Sequence, residues 1–341
     1  MLKNRPAPYL RPLLMPVILT RENIRSLLNM EEVMEALKKA FLSYSRGETV
    51  VPLRLGLEVT PYQGISLLMP SFQKNPDGLG VKLVSVFPEN VKKGLPTICA
   101  YYLLCDAHTG GLLALMDGAM LTGIRTGAAS GLASSYLGRK DSRVLSLLGA
   151  GVQARFQLEA MKAVFPMLQQ LYVFDVDQKR SARFIEELPP DLRMEARVAR
   201  SSDEAVSRAD VIVTATTSRS PVFQGKLLKP GTHINAIGGF TPSMQEVDEE
   251  TVLRSKVVVD TFEGCLSEAG EILIPIQRGV FSKDRIHSDL SGLVSGRQRG
   301  REDEGEITLF KSVGTAIEDL AAARLAYQKA LEKGIGLPFE I

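Results

Sequence analysis

Cysteine, histidine and long apolar runs are scarce in this chain, and each scarcity removes a class of function. The three cysteines among 341 residues, Cys99, Cys105 and Cys265, are irregularly spaced, form no CxxC pair and sit in apolar surroundings. That excludes a disulfide framework and implies reduced, mostly buried thiols in a cytoplasmic protein. The three histidines, His108, His233 and His287, are scattered without neighbouring cysteines or spaced carboxylates, so no metal is expected. No apolar run approaches the roughly 18 residues of a membrane span. Pro6, Pro8, Pro12 and Pro16 interrupt the start of the chain, where Lys3, Arg5 and Arg11 accompany only short apolar pieces. No signal peptide is expected there, but an extended arm leading into a strand is. The net charge is only +2, and the one dense basic cluster, Arg297 to Arg301, runs directly into Glu302, Asp303 and Glu304. It reads as a polar loop, and nucleic acid is not an expected partner.

What is there is a globular composition, 45% hydrophobic, long enough for one large core or two medium ones. Asn29 and Glu32 have the spacing of a capping box, followed by Val33, Leu37, Ala40 and Phe41 at helical intervals until Gly47. The pattern then changes to strands: Leu53 to Val59, Gly64 to Met69, Leu79 to Phe87 and Ile98 to Cys105, with His108 to Gly111 turning into LLALM as a hairpin. From about Leu121 a helix of small residues is followed by strands at Val144, Leu171, Val211, Ile234 and Val257 with helical stretches between several of them. Such alternation means a parallel sheet covered on both faces. A last strand, Ile307 to Phe310, precedes an amphipathic helix from Thr315 to Lys333 that is expected to pack back on the first unit. The division expected is residues 1–120 with 316–341 as an α+β unit and 121–315 as an α/β unit.

The most informative stretch is VLSLLGAGVQARFQLEA, from Val144 to Ala160, where an apolar strand stops at glycine and a helix starts within two residues. Gly149, Gly151 and Ala154 form G-x-G-x-x-A: a tight turn, a place for a pyrophosphate against the backbone, and close packing of helix on strand. The helix N-terminus then holds phosphate without any lysine. A second strand ends at Asp175, 21 residues after Ala154, near the spacing at which an acid meets the adenosine ribose hydroxyls. The alternative is a bare α/β turn with a surface aspartate. A carboxylate repels a 2′-phosphate, so NAD is favoured, while Lys179 and Arg180 just beyond keep NADP possible.

Three basic residues stand where they could hold a carboxylated substrate: Arg54, Lys82 and Arg125. Lys82 lies inside an otherwise apolar strand and must either face solvent or serve a cleft. Arg125 sits in a helix whose small residues permit either a ligand or plain helix packing. Arg54 alternates as an outward strand residue would.

Taken together, GVKLVSVFPEN, GLPTICAYYLLCDAHTGGLLALMDGAMLTGIRTGAAS, LLGAGVQA and INAIGGFTP resemble, in order and interval, the ornithine cyclodeaminase and mu-crystallin family. The resemblance implies a homodimer in which each chain has a substrate and dimerisation domain plus a Rossmann-type NAD(P)-binding domain. It implies that Lys82 is the active-site lysine, Arg125 the substrate-carboxylate arginine, which also touches the cofactor, and Arg54 a second carboxylate contact. Thr97, Gly149, Gly151, Val152, Gln153 and Asp175 are implied at the cofactor. Thr216 and the segment Ile234, Asn235, Ala236, Ile237 are implied beneath it. Ser312, Val313 and Gly314 are implied on the nicotinamide side, with Val313 near the substrate.

Two departures direct the choice within the family. Phe240 stands where the resemblance leads one to expect an aspartate after the paired glycines, and Leu67 stands near an expected glutamate ahead of Met69 and Pro70. Both acids would serve a distal ammonium, and burying that charge against Phe and Leu is costly. Glu58 and Glu268 are the nearest replacements to name. The expected activity is therefore NAD(P)H-dependent oxidoreduction at a C–N bond of a small amino, imino or keto acid, such as reduction of pyrroline-2-carboxylate or an alanine-type dehydrogenation, with Phe240 as an apolar wall. The alternatives are ornithine cyclodeamination and a mu-crystallin-like protein that holds dinucleotide and ligand without turnover.

Overall fold

The computed structural model of the chain describes residues 15–340; the proline-rich arm expected at the start lies mostly outside them. The described chain opens with strand β1 (Val17–Leu19) and helices α1 (Arg21–Leu27) and α2 (Met30–Ser45). The Asn29 side chain accepts from the Glu32 N–H at the start of α2, but the box is only half made. The Glu32 carboxylate pairs instead with Lys329, far along the chain.

Strands β2 (Thr49–Val50), β3 (Leu55–Val59), β4 (Gly64–Lys74), β5 (Asp77–Val86), β6 (Ile98–Cys105) and β7 (Leu112–Asp117) follow. β4 to β7 form an antiparallel meander, with β2 and β3 both pairing with β4, and β1 joins β7 in parallel. Alternation sets its faces. Met69, Ser71 and Gln73 of β4, Lys82 of β5, Tyr102 and Leu104 of β6, and Ala114 and Met116 of β7 are all buried on one side.

Helix α3 (Gly118–Leu137), capped by Asp117, is buried almost along its whole length. Its small residues let it lie between two layers at once. Beyond it come β8 (Val144–Leu148), α4 (Val152–Val164), β9 (Gln170–Phe174), α5 (Gln178–Glu186), β10 (Glu195–Val198), α6 (Ser202–Arg208), β11 (Val211–Thr214) and β12 (His233–Ala236). The series ends with α7 (Glu249–Arg254), β13 (Ser255–Val259), α8 (Phe262–Glu268), α9 (Gly270–Gln277), β14 (Ile286–Asp289), α10 (Leu290–Val294), β15 (Ile307–Lys311), α11 (Ala316–Lys333) and β16 (Leu337–Pro338).

The second sheet runs β10-β9-β8-β11-β12-β15-β13-β14, every pair parallel. Strand order reverses between β8 and β11, and in such sheets the crevice beyond the carboxyl ends at that reversal receives the ligand. The edge strands β10 and β14 were not expected from the sequence. Each is four residues long and carries charge or polarity (EARV, IHSD), so neither shows the continuous apolar run of a buried parallel strand.

α11 leaves β15, packs against α2, α3, β4 and β5, and ends at Gly334 in the left-handed region. β16 then pairs with β1, returning the chain to the first sheet. Helix α11 thereby brings its first turn, Ala316 to Asp319, under the strands that carry Lys82. Among the described residues, no helix is long and apolar enough to cross a membrane, and no group of histidine, cysteine and carboxylate residues is placed to hold a metal ion.

Candidate active site

At the end of β8 the chain turns through Gly149, whose φ is 101°. A Cβ there would stand 2.6 Å from the Ala215 carbonyl oxygen, so the turn and the approach of the next strand both require glycine. Gly151 is different. A Cβ on it would meet no protein atom within 4 Å, and no side chain caps the helix it begins. The N–H groups of the first turn of α4 thus border open space, the arrangement that suits a pyrophosphate. Val152 is exposed and Gln153 half-buried beside it. Asp175, just beyond β9, receives the Ala150 N–H on Oδ2 and the Asp177 N–H on Oδ1, both at 2.9 Å. Its remaining lone pairs stay available for hydroxyl donors, so the acid braces the turn as well as flanking it. These residues fit a dinucleotide.

Across the crevice, Thr216 donates to Glu246 through both its N–H and its hydroxyl. The other Glu246 oxygen receives Gly238 N–H and Gly239 N–H. One buried carboxylate therefore joins the loops that follow β11 and β12. Glu271 accepts from the Glu246 N–H and pairs with Lys311 Nζ at 3.0 Å, and that ammonium also donates to the Gly239 carbonyl. On the next loop, Asp260 Oδ2 gathers the Ser312 hydroxyl and the N–H groups of Val313 and Gly314. Ile234, Ala236 and Ile237 are buried, and the Asn235 amide donates to Ser134 on α3, so this segment presents its backbone rather than its side chains. His233 is a core residue held between Ser134 and Thr308; burial, with Arg301 nearby, pushes its pKa down to about 3.

Helices and sheet bring the two strongest basic candidates together. Lys82 points inward and is 2% exposed, and its Nζ donates to Asp319 Oδ2 at 2.6 Å. Arg125, 5% exposed, donates from Nε to Asp319 Oδ1 at 3.0 Å and from Nη1 to Glu318 Oε2 at 2.5 Å. Gly314, at φ 81°, lies against the same guanidinium: a Cβ would come within 2.7 Å of Nη1. Burial pushes the Lys82 ammonium down to about 8, with Asp319 opposing and Arg125 adding to the fall. Burial pushes Glu318 up to about 7 against the pull of Arg125. For Asp319 burial also raises, but Arg125 and Lys82 together overcome it and hold the carboxyl below its usual range.

Arg54 reaches this group from the loop before β3. Its Nη2 donates to the carbonyls of Val313 and Gly314 and lies 2.7 Å from Glu268 Oε2. Burial raises Glu268, with Arg54 opposing. A small cavity beside Arg54 is lined by Met69, Thr261, Glu268, Gly314 and Thr315 among others. Phe240 does not line it; it is half-buried in the turn after β12. Leu67 is buried. Glu58, named as a replacement acid, lies on β3 beside a different cavity with Thr60 and Gln63, whereas Glu268 does reach Arg54. Thr97 is half-buried ahead of β6, its carbonyl accepting from Phe87.

The sequence reading missed Glu318 and Asp319, and missed the Glu246, Glu271, Lys311 and Asp260 set. Acids in a helix's first turn are ordinary, which hid Glu318 and Asp319 from view. Their signal was position: they are the only charged residues in the otherwise apolar run Ala316 to Ala323, which is buried on every side of α11. Lys311 carried a signal related to that of Lys82, a lysine ending the mostly apolar strand ITLFK.

Comparison with known proteins gives the family and the fold. The profile of the ornithine cyclodeaminase/mu-crystallin family matches residues 15–334. A Delta(1)-pyrroline-2-carboxylate reductase from Bacillus cereus is 39% identical over 321 residues, covering 94% of this chain and 98% of that protein. The structure of Thermococcus litoralis Delta(1)-pyrroline-2-carboxylate reductase in complex with NADH and L-proline superposes with a TM-score of 0.92 at 46% identity, covering 95% of this chain and all of that one. An archaeal alanine dehydrogenase dimer with bound NAD gives 0.89 at 39% identity, covering 96% and 99% of the two chains.

Proposed function

The chain belongs to the ornithine cyclodeaminase/mu-crystallin family, and within it we propose a pyrroline-2-carboxylate reductase that uses NAD(H). It is an oxidoreductase acting on the C–N bond of a small imino or amino acid. The observation that carries the choice of substrate is that each acid near the cations is already ion-paired to one of them. Asp319 holds Lys82 and Arg125, Glu318 holds Arg125, and Glu268 holds Arg54. A carboxylate finds three cations to share there, while the second ammonium of ornithine meets acids already paired with those cations and the apolar side chain of Met69 in the cavity wall.

In this reading the uncapped N-terminus of α4, Gly151 and Asp175 hold the dinucleotide, and the loop of Ser312 to Gly314, fixed by Asp260, borders its reactive end. NADH supplies the hydride when bound. Lys82, Arg125 and Arg54 orient the substrate carboxylate, so the adjacent imine carbon is held in one pose rather than tumbling. Lys82, with its ammonium already lowered toward neutrality, is suited to relay a proton.

The first sheet supports a homodimer. Leu55, Leu68, Leu83 and Tyr101 are successive cross-strand partners on its outer face, and Leu55, Leu68 and Tyr101 are 65%, 37% and 52% exposed. An apolar row of this kind is expected to be covered. Reduced cysteines, all three unpaired, suit a cytoplasmic site of action.

The test compares NADH oxidation by pyrroline-2-carboxylate with ammonia release from ornithine in the presence of NAD. Imine reduction is expected to exceed cyclodeamination by about two to three orders of magnitude, the rate equivalent of one uncompensated buried charge. Efficient ammonia release without imine reduction would overturn the proposal.

A further inference from the structure

One carboxyl in the buried cluster is bonded less fully than its neighbour. Both oxygens of Asp319 accept from cations, Oδ1 from Arg125 and Oδ2 from Lys82. Glu318, equally buried, accepts from Arg125 on Oε2 only, and its Oε1 has no hydrogen-bond partner. The charged groups facing Glu318 are Arg125 from α3, Asp319 from its own helix and Asp260 from the loop after β13. Lys82 of β5 stands across Asp319.

The three cations and the three acids they pair with balance, and Asp260 adds a negative charge held by hydrogen bonds alone. Lys82 and Arg125 are matched by Glu318 and Asp319, Arg54 is matched by Glu268, and Asp260 is satisfied by the Ser312 hydroxyl and by N–H groups of its loop. A substrate carboxylate arriving at Lys82 and Arg125 adds one negative charge to a space with little water. An uncompensated buried charge is costly, and the usual response is a change of protonation. Among the fully buried acids of the cluster, the one with the fewest bonds gives way most easily.

We propose that Glu318 takes up a proton when a carboxylate ligand occupies Lys82 and Arg125, which restores the charge balance and frees Arg125 to turn from Glu318 to the ligand. This rests on the reading of Lys82 and Arg125 as the carboxylate site. Glu318 is then a positioning residue: it acts on the substrate through Arg125. Burial already raises Glu318 to about 7, whereas the two cations hold Asp319 low, so the proton is available near neutral pH at one acid and not at the other.

The experiment is calorimetric titration of the NADH-loaded enzyme with pyrrole-2-carboxylate, an aromatic analogue that cannot be reduced. Two buffers of different ionisation enthalpy, both at pH 7, report the protons taken up. Starting near its midpoint, Glu318 should account for roughly half a proton per ligand bound. Glu318→Gln, which keeps the shape and the acceptor for Arg125, should bind the analogue with no uptake. Wild-type enzyme supplies a second readout by infrared difference spectroscopy, where a protonated-carboxyl band should appear on ligand binding. Binding without uptake or band in the wild type, or uptake unchanged in E318Q because the proton goes to Lys82 instead, overturns the proposal. Failure of pyrrole-2-carboxylate to bind at all removes the carboxylate site itself and the proposal with it.

Discussion

Two buried lysines end up in opposite circumstances. Lys311, fully buried at the end of β15, pairs with Glu271 and donates to the Gly239 carbonyl, and every neighbouring acid is occupied in fastening a loop. Lys82, on the inner face of β5, shares its one acid, Asp319, with Arg125, and the acid beside it leaves an oxygen unbonded. The loops around Lys311 therefore use buried charge as a fastener, with backbone N–H groups as partners. Around Lys82, the proposed substrate side keeps charge in a form that a ligand can rearrange. The difference teaches that burial and pairing do not identify a reactive lysine; what distinguishes Lys82 is a second cation competing for the same acid.

Exchanging the two lysines for methionine breaks the comparison most directly. Lys82→Met should reduce turnover about a thousand-fold, within the range for loss of a group that transfers protons, with a smaller loss of stability because Asp319 keeps its bond from Arg125 and protonation of the neighbouring Glu318 offsets the lost charge. Lys311→Met leaves Glu271 buried and unpaired, which costs about 3–5 kcal/mol of stability. Steady-state kinetics beside urea denaturation separates the two. A K82M protein with near-parental activity, or a K311M protein as stable as the parent, would show that the roles are not divided in this way.

The pH dependence of stability sharpens the same contrast. Glu318, raised from 4.5 to about 7, binds more protons folded than unfolded across that interval, so its contribution to stability is lost as pH rises through it. Lys82, lowered from 10.5 to about 8, binds fewer protons folded, so stability recovers as pH rises between those values. Denaturation midpoints measured against pH should therefore fall toward neutrality in the parent and lose that slope in Glu318→Gln. Parallel curves for the two proteins would mean that Glu318 does not titrate in the folded state as described.

The smallest effect concerns Asp175, whose oxygens brace Ala150 and Asp177. As a fastener alone, its loss would weaken NADH and NADPH binding equally. As a ribose acceptor too, Asp175→Ser should weaken NADH by about ten-fold, the equivalent of one hydrogen bond to a charged acceptor, while NADPH is relieved of the repulsion. Dissociation constants for both cofactors decide between the two, and an equal change would reduce Asp175 to a brace.

Sequence alone determined the features that are written locally. Period-two alternation marked β4 to β7, the glycine turn marked the start of the parallel sheet, and a lysine among apolar strand residues marked Lys82. Each depends on residues within a few positions of one another, and local sterics and patterning decide them. The polar edge strands β10 and β14 escaped because their register comes from a neighbour rather than from their own composition. The partners of the site cations escaped for a stronger reason. Asp319 is 237 residues from Lys82 and 194 from Arg125, and Glu268 ends helix α8 of the parallel-sheet half whereas Arg54 precedes β3 of the first sheet. Only the return of α11 beneath the first sheet places those acids against those cations. Whether a buried charge is spare or spent depends on that meeting, because the interaction that sets it acts over a few ångströms of space and not along the chain.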